Sequence, residues 1–153
     1  MENRKPAATR IVGVDYGMAR IGIAVSDESK IIARPLVTMK AEKRLEATAA
    51  KFVQTLQQAE KDERFAVAEL VIGLPLHMNG KHGVIADEVT HFAELVKGLS
   101  GWTVTLWDER LTTVQAERSL MEGQLTRKRR SQLVDTVAAV IILQNYLDSK
   151  SLT

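Results

Sequence analysis

Apolar residues along this chain follow two rhythms, and each change of rhythm marks an element. Residues 11–16 form a short apolar run ending in Asp-Tyr-Gly, and across 20–26 Ile21, Ile23 and Val25 alternate with smaller residues. Two strands joined by a tight turn are predicted. Residues 31–38 predict a third strand, in which Pro35 lacks a ladder donor and so favours a sheet edge. From about Lys40 to Ala59 the apolar positions Leu45, Ala49, Phe52, Val53 and Leu56 recur at helical spacing. The same spacing returns over 85–99 through Val89, Phe92, Ala93 and Val96, punctuated by Gly98 and Gly101. Between these helices lie a predicted strand at 69–74 and a loop at 75–83 holding Pro75, Asn79, Gly80 and Gly83. A strand at 102–107, a short helix from Thr112 or Thr113 to about Glu122, and a last helix from about Lys128 to Leu147 complete the series.

The order β-β-β-α-β-α-β-α-α predicts an α/β fold, a five-stranded mixed sheet flanked by helices. Right-handed crossovers place the later strands beside the first, giving the order 3-2-1-4-5 with strand one central. A ligand site is then expected beyond the carboxyl ends of the parallel strands. With 153 residues the chain fits one domain, expected at 11–148 between a polar segment at 1–10 and a tail at 149–153. No internal repeat or low-complexity linker interrupts it.

Composition narrows the chemistry. Hydrophobic residues at 45% and charged residues at 26% suit a globular protein. The absence of cysteine removes disulfides and thiolate metal sites, leaving oxygen or imidazole ligands and hard cations as the default. No apolar run approaches the roughly 18 residues needed to span a bilayer, and the first ten residues are polar and charged, so no membrane partner and a cytoplasmic location are expected. The net charge of +2 is too small to argue for nucleic acid by itself, so the distribution of charge must do so. His77, His82 and His91 have no ligand spacing, and Trp102 and Trp107 alternate within a strand as packing residues do.

Three acidic positions stand out. Asp15 closes the first strand and Asp108-Glu109 closes the fifth, all at the edge where a ligand site is expected, although a turn residue or a helix cap would also account for each. Asp135 lies inside the most apolar stretch of the chain, 133–143, on a helical face with Ser131, Ala138, Ala139 and Ile142. An unpaired buried carboxylate there would be costly. It must pair with an arginine, cap a backbone group, or serve a site. Carboxylates converging in a small space repel unless a cation neutralises them, and divalent magnesium or manganese held by oxygens suits phosphodiester hydrolysis. Arg127, Lys128, Arg129 and Arg130 stand at the start of the last helix, where the macrodipole disfavours cations, and so favour a role toward a phosphate backbone. Arg20 and Arg110, beside the proposed acids, could bind phosphate or pair with a carboxylate. Asn79 sits in a loop that could contact substrate or simply turn.

Four blocks in order, Val12 to Asp27 (VGVDYGMARIGIAVSD), Val71 to Gly80 (VIGLPLHMNG), Asp108 to Thr113 (DERLTT) and Asp135 to Ala139 (DTVAA), resemble the YqgF/RuvX family over about residues 11–148. These are RuvC-like proteins described as Holliday junction resolvases and as pre-16S rRNA processing nucleases. Met18-Ala19 departs from the small polar or basic pair often found in that family. The resemblance implies a ribonuclease-H-like fold, catalytic and metal-binding acids at Asp15, Glu109 and Asp135, and structured nucleic acid as substrate, either precursor rRNA or branched DNA. Rival classes are a catalytically idle nucleic-acid-binding module and a sugar-kinase-like or actin-like ATP binder, the latter opposed by length. Monomer and homodimer both stay open.

Overall fold

The computed structural model describes residues 7–77, 79–111 and 127–151, with side chains at 7–77, 79–110 and 137–151. Five strands, β1 (Ala8–Tyr16), β2 (Arg20–Ser26), β3 (Ala33–Lys40), β4 (Phe65–Leu74) and β5 (Val104–Asp108), form one sheet in the order β3-β2-β1-β4-β5. This is the expected order. β1 pairs antiparallel with β2, and β2 with β3, while β4 runs parallel to both β1 and β5. The helices are α1 (Leu45–Glu63), α2 (Val84–Ser100) and α3 (Arg127–Ser151), and a 3-10 turn, Glu109–Leu111, follows β5. The short helix expected from Thr112 or Thr113 to Glu122 lies outside the described residues.

Strand alternation divides the core into two layers. Val12, Val14, Ile21, Ile23 and Ile72 face Phe52 and Leu56 of α1 and Phe92 and Val96 of α2. Ile11, Ala24 and Val71 face the other way, against Ala138, Ala139, Ile142, Leu143, Tyr146 and Leu147 of α3. Small residues, Ala138 and Ala139, bring the last helix close to the sheet. A Cβ added at Gly13 would stand 2.5 Å from the Leu143 Cβ and 3.1 Å from the Ala139 carbonyl oxygen.

The third strand begins and ends later than the apolar pattern suggests. The Asp27 carboxylate accepts hydrogen bonds from the Ile31 and Ile32 amides, at 2.8 and 3.1 Å, and so holds both residues in a turn. Their side chains are exposed, and the strand starts at Ala33. Pro35 does lie on an edge strand, where the β2–β3 register shifts. The first helix also starts late, at Leu45, because residues 40–44 continue from the strand: the Ala41 amide donates to the Ala19 carbonyl at 2.9 Å. α1 ends at Arg64 in the left-handed conformation (φ 57°), and β4 follows at once from Phe65.

Candidate active site

Asp15 is the penultimate residue of β1 and is only 3% exposed. Its cross-strand partner is Gly22, so no side chain competes for space beside it on β2. By alternation with Ile11 and Gly13 it faces the α3 layer. Glu109 opens the turn after β5 and is half-buried. Its side chain folds back over β4, the strand that separates β5 from β1. A Cβ at Gly73 would stand 2.6 Å from Glu109 Oε1, 3.1 Å from its Cγ and 2.6 Å from Ile142 Cδ1. Val14 pairs with Ile72, so Gly73 is the next step in register, alongside Asp15. The bare backbone at Gly73 is thus the cradle across which one carboxylate reaches toward the other.

Asp135 sits in α3, one turn before Ala139 and on its face. Ala139 and Leu143 cover Gly13, while Tyr146 and Leu147 pack in the cluster with Ile11, so α3 runs opposite to β1. Four residues of helix carry position 135 about 6 Å beyond Ala139, toward the carboxyl end of β1. The side chains of Asp135, Arg127, Lys128, Arg129 and Arg130 lie outside the described residues, although all five positions are helical. Among the described residues no three acidic or histidine side chains gather into a metal-ligating group. Asp15 and Glu109, on either side of Gly73, offer only carboxylate oxygens, a donor chemistry that fits a hard divalent cation.

The neighbouring cations differ in role. Arg110 Nε lies 3.0 Å from both carboxylate oxygens of Asp108, its Nη2 donates at 2.6 Å, and the Arg110 amide donates at 2.9 Å. These bonds hold the Asp108 carboxyl below the usual carboxylate range. The same guanidinium stands 3.4 Å from where a Cβ of Gly80 would be, so Arg110 links the β5 turn to the 75–83 loop. That loop is a small hairpin, with a Leu76–His82 bridge and the His77 amide donating to the Lys81 carbonyl at 3.1 Å. Asn79 is exposed at its tip, where its Oδ1 accepts from the Lys81 amide at 2.9 Å. Arg20, half-buried, opens β2 opposite Lys40.

Two polar clusters were not expected from the sequence. Tyr16 follows Asp15 but faces the opposite layer, its ring 4.9 Å from that of Phe92. Burial, with Glu88 alongside, pushes its hydroxyl up to about 12. In the α3 layer the Glu69 carboxylate accepts from Thr105 Oγ1 at 2.5 Å and from Tyr146 Oη at 2.6 Å, and Trp107 meets the Tyr146 ring edge-on at 5.3 Å. Burial and Glu69 push the Tyr146 hydroxyl up to about 12. A charged residue within a strand, Glu69, was the available signal. Trp107 is a packing residue, as its alternation suggested.

A family model described as RuvX, Holliday junction resolvase, matches residues 9–149. A protein of Protochlamydia amoebophila named as a candidate pre-16S rRNA nuclease is 57% identical over 150 residues, covering 98% of this chain and 99% of its own. A protein of Endomicrobium trichonymphae with the same name is 45% identical over 143 residues, covering 93% and 97%. Among solved structures, RuvC of Thermus thermophilus superposes with a TM-score of 0.57 at 15% identity, over 94% of this chain and 97% of that one. At that identity the likeness concerns the fold, which is ribonuclease-H-like.

Proposed function

The chain belongs to the RuvX family, and from that premise we propose that it is a metal-dependent nuclease hydrolysing phosphodiester bonds, acting in the cytoplasm in 5′-end maturation of precursor 16S rRNA. The observation that carries the chemical reading is the placement of two carboxylates about one glycine. Asp15 is buried at the end of the central strand, and Glu109 lies over Gly73 beside it. Asp135, on the α3 face one turn from Ala139, is the third acid of the proposal.

These residues would hold magnesium or manganese by oxygen donors. Such an ion, when bound, supplies Lewis-acid activation of the attacking water and charge stabilisation at the leaving oxygen. The chain's own contribution is placement. Burial fixes Asp15, the Gly73 cradle fixes Glu109, and the Arg110–Asp108 pair ties down the turn from which Glu109 projects. Arg127, Lys128, Arg129 and Arg130 precede Asp135 on α3 and would draw the phosphate backbone toward the acids.

The test is purified protein with magnesium or manganese, offered precursor 16S rRNA, unstructured single-stranded RNA and four-way DNA junctions, with Asp15→Asn as control. Trimming of the precursor that Asp15→Asn abolishes supports the proposal. Junction cleavage alone would favour the second reading, a resolvase, which rests on the description of the matching family. Binding without cleavage of any substrate would leave an idle binding module and sink the nuclease reading. Full activity of Asp135→Asn would remove that residue from the triad.

A further inference from the structure

We propose that Glu88 and Tyr16 are positioning residues for the reaction: the Glu88 carboxylate on α2 holds the Tyr16 hydroxyl and thereby fixes the end of β1 that carries Asp15. This rests on the nuclease reading.

The register shows why the end of β1 needs a hold. β1 pairs with β4 from Ala8 as far as Val14, opposite Ile72. Its pairing with β2 runs two residues further, to Asp15 opposite Gly22 and Tyr16 opposite Ile21. β4 meanwhile continues beside β5 to Leu74, opposite Asp108. The two central strands therefore part after Val14, and among the described residues Asp15 and Tyr16 are laddered by β2 alone. Such strand ends open locally more readily than a strand paired on both sides.

Tyr16 supplies the missing hold from the opposite layer. Its side chain points away from that of Asp15, as strand alternation requires, and is buried. The ring lies 4.9 Å from that of Phe92, which in turn meets Phe52 of α1 edge-on at 5.3 Å. Glu88 precedes Phe92 by four residues and so shares its face of α2. There its carboxylate accepts a hydrogen bond from the Tyr16 hydroxyl. One side chain thus ties the end of β1 to α2 at two points, through its ring and through its hydroxyl.

Folding alone does not call for an acid at this place. Glu88 Oε2 is buried and has no hydrogen-bond partner among the described residues, which costs free energy. The helix dipole returns little of it, because the first-turn acid of α2 is Asp87 and the effect fades beyond that turn. A local cost of this kind, one residue from a proposed catalytic acid, is expected where function compensates for it.

The test compares Tyr16→Phe, Glu88→Ala, Glu88→Gln and the double variant Tyr16→Phe/Glu88→Ala in the full chain. Tyr16→Phe keeps the ring on Phe92 and removes only the hydroxyl, and Glu88→Gln keeps an acceptor for that hydroxyl. With magnesium and precursor RNA, Tyr16→Phe and Glu88→Ala should each lower kcat about 10-fold while KM stays within about twofold. The double variant should lose no more than either single one, and Glu88→Gln should stay close to wild type. In metal-free protein, hydrogen exchange should quicken more at 14–17 than at 70–72 in Tyr16→Phe and Glu88→Ala. Val53→Ala, a cavity in α1, should lower the unfolding midpoint and leave kcat unchanged. Unchanged kcat or unchanged exchange in Tyr16→Phe overturns the proposal, as do additive losses in the double variant or equal losses in Glu88→Gln and Glu88→Ala. The nuclease reading fails separately, if the wild-type protein with magnesium or manganese cleaves nothing, and the exchange comparison still decides whether Glu88 and Tyr16 hold the strand end.

Discussion

At the scale of single residues, the placement of Glu109 depends on what Gly73 lacks. Gly73 provides the space that Glu109 fills, and a Cβ there would collide with both Glu109 and Ile142. Gly73→Ala should therefore cost about 1–3 kcal/mol of stability by overpacking. It should also lower kcat by about 100-fold through displacement of Glu109. Denaturant unfolding and steady-state kinetics on the same sample check both, and normal kcat would show that Glu109 does not need this cradle. The chain has two tyrosines, Tyr16 and Tyr146, and both ionise near 12 in the folded state. Because both values lie above the unfolded value of about 10, their contribution to stability is complete below about pH 10 and is lost as pH rises toward 12. Spectrophotometric titration should show no tyrosinate step near 10 while the protein remains folded. The strand-end positions of Asp15 and Glu109 were legible in the sequence. Gly73 was not, because its meaning arises only when the turn after β5 folds back over β4.

At the scale of elements, alternation and helical spacing carried most of the architecture. Strand order, the edge position of the Pro35 strand and the close seat of the last helix all follow from residue pattern and chain order. Boundaries moved where a side chain captured the backbone, as Asp27 does at Ile31 and Ile32 and Thr48 does at the start of α1. The placement of Asp135 depends on the seat of α3 and hence on Gly13. Gly13→Ala would force the Leu143 Cβ and the Ala139 carbonyl away from β1, at a cost of about 1–3 kcal/mol. Gly98, inside α2, has nothing within 4 Å of the place a Cβ would take, and Gly98→Ala should gain about 0.5–1 kcal/mol from helix propensity. Chemical denaturation of the two variants should move their midpoints in opposite directions. If α3 is what holds Asp135 in place, Gly13→Ala should also lose activity out of proportion to its stability, and Gly98→Ala should not.

For the whole molecule, the proposed acids gather at one end of the sheet. The carboxyl ends of β1 and β4, the turn after β5 and the residues on either side of β3–α1 meet there, while the far end is finished by ordinary ion pairs such as Arg34 with Glu63. The proposed site, drawn from the ends of three strands and one helix, would exist only in the folded chain, so an ion bound by it would stabilise that chain by mass action. At a concentration 100-fold above the dissociation constant the gain is about 2.7 kcal/mol. Thermal unfolding of the wild-type protein should therefore shift upward on adding magnesium or manganese and return on chelation. Asp15→Asn and Asp135→Asn should each lose most of that shift, whereas Gly98→Ala, remote from the acids, should keep it. The measurement needs no substrate, so it separates assembly of the cation site from turnover. An Asp135→Asn protein with the full wild-type shift would show that α3 contributes no ligand, leaving Asp15 and Glu109 to hold the ion between them.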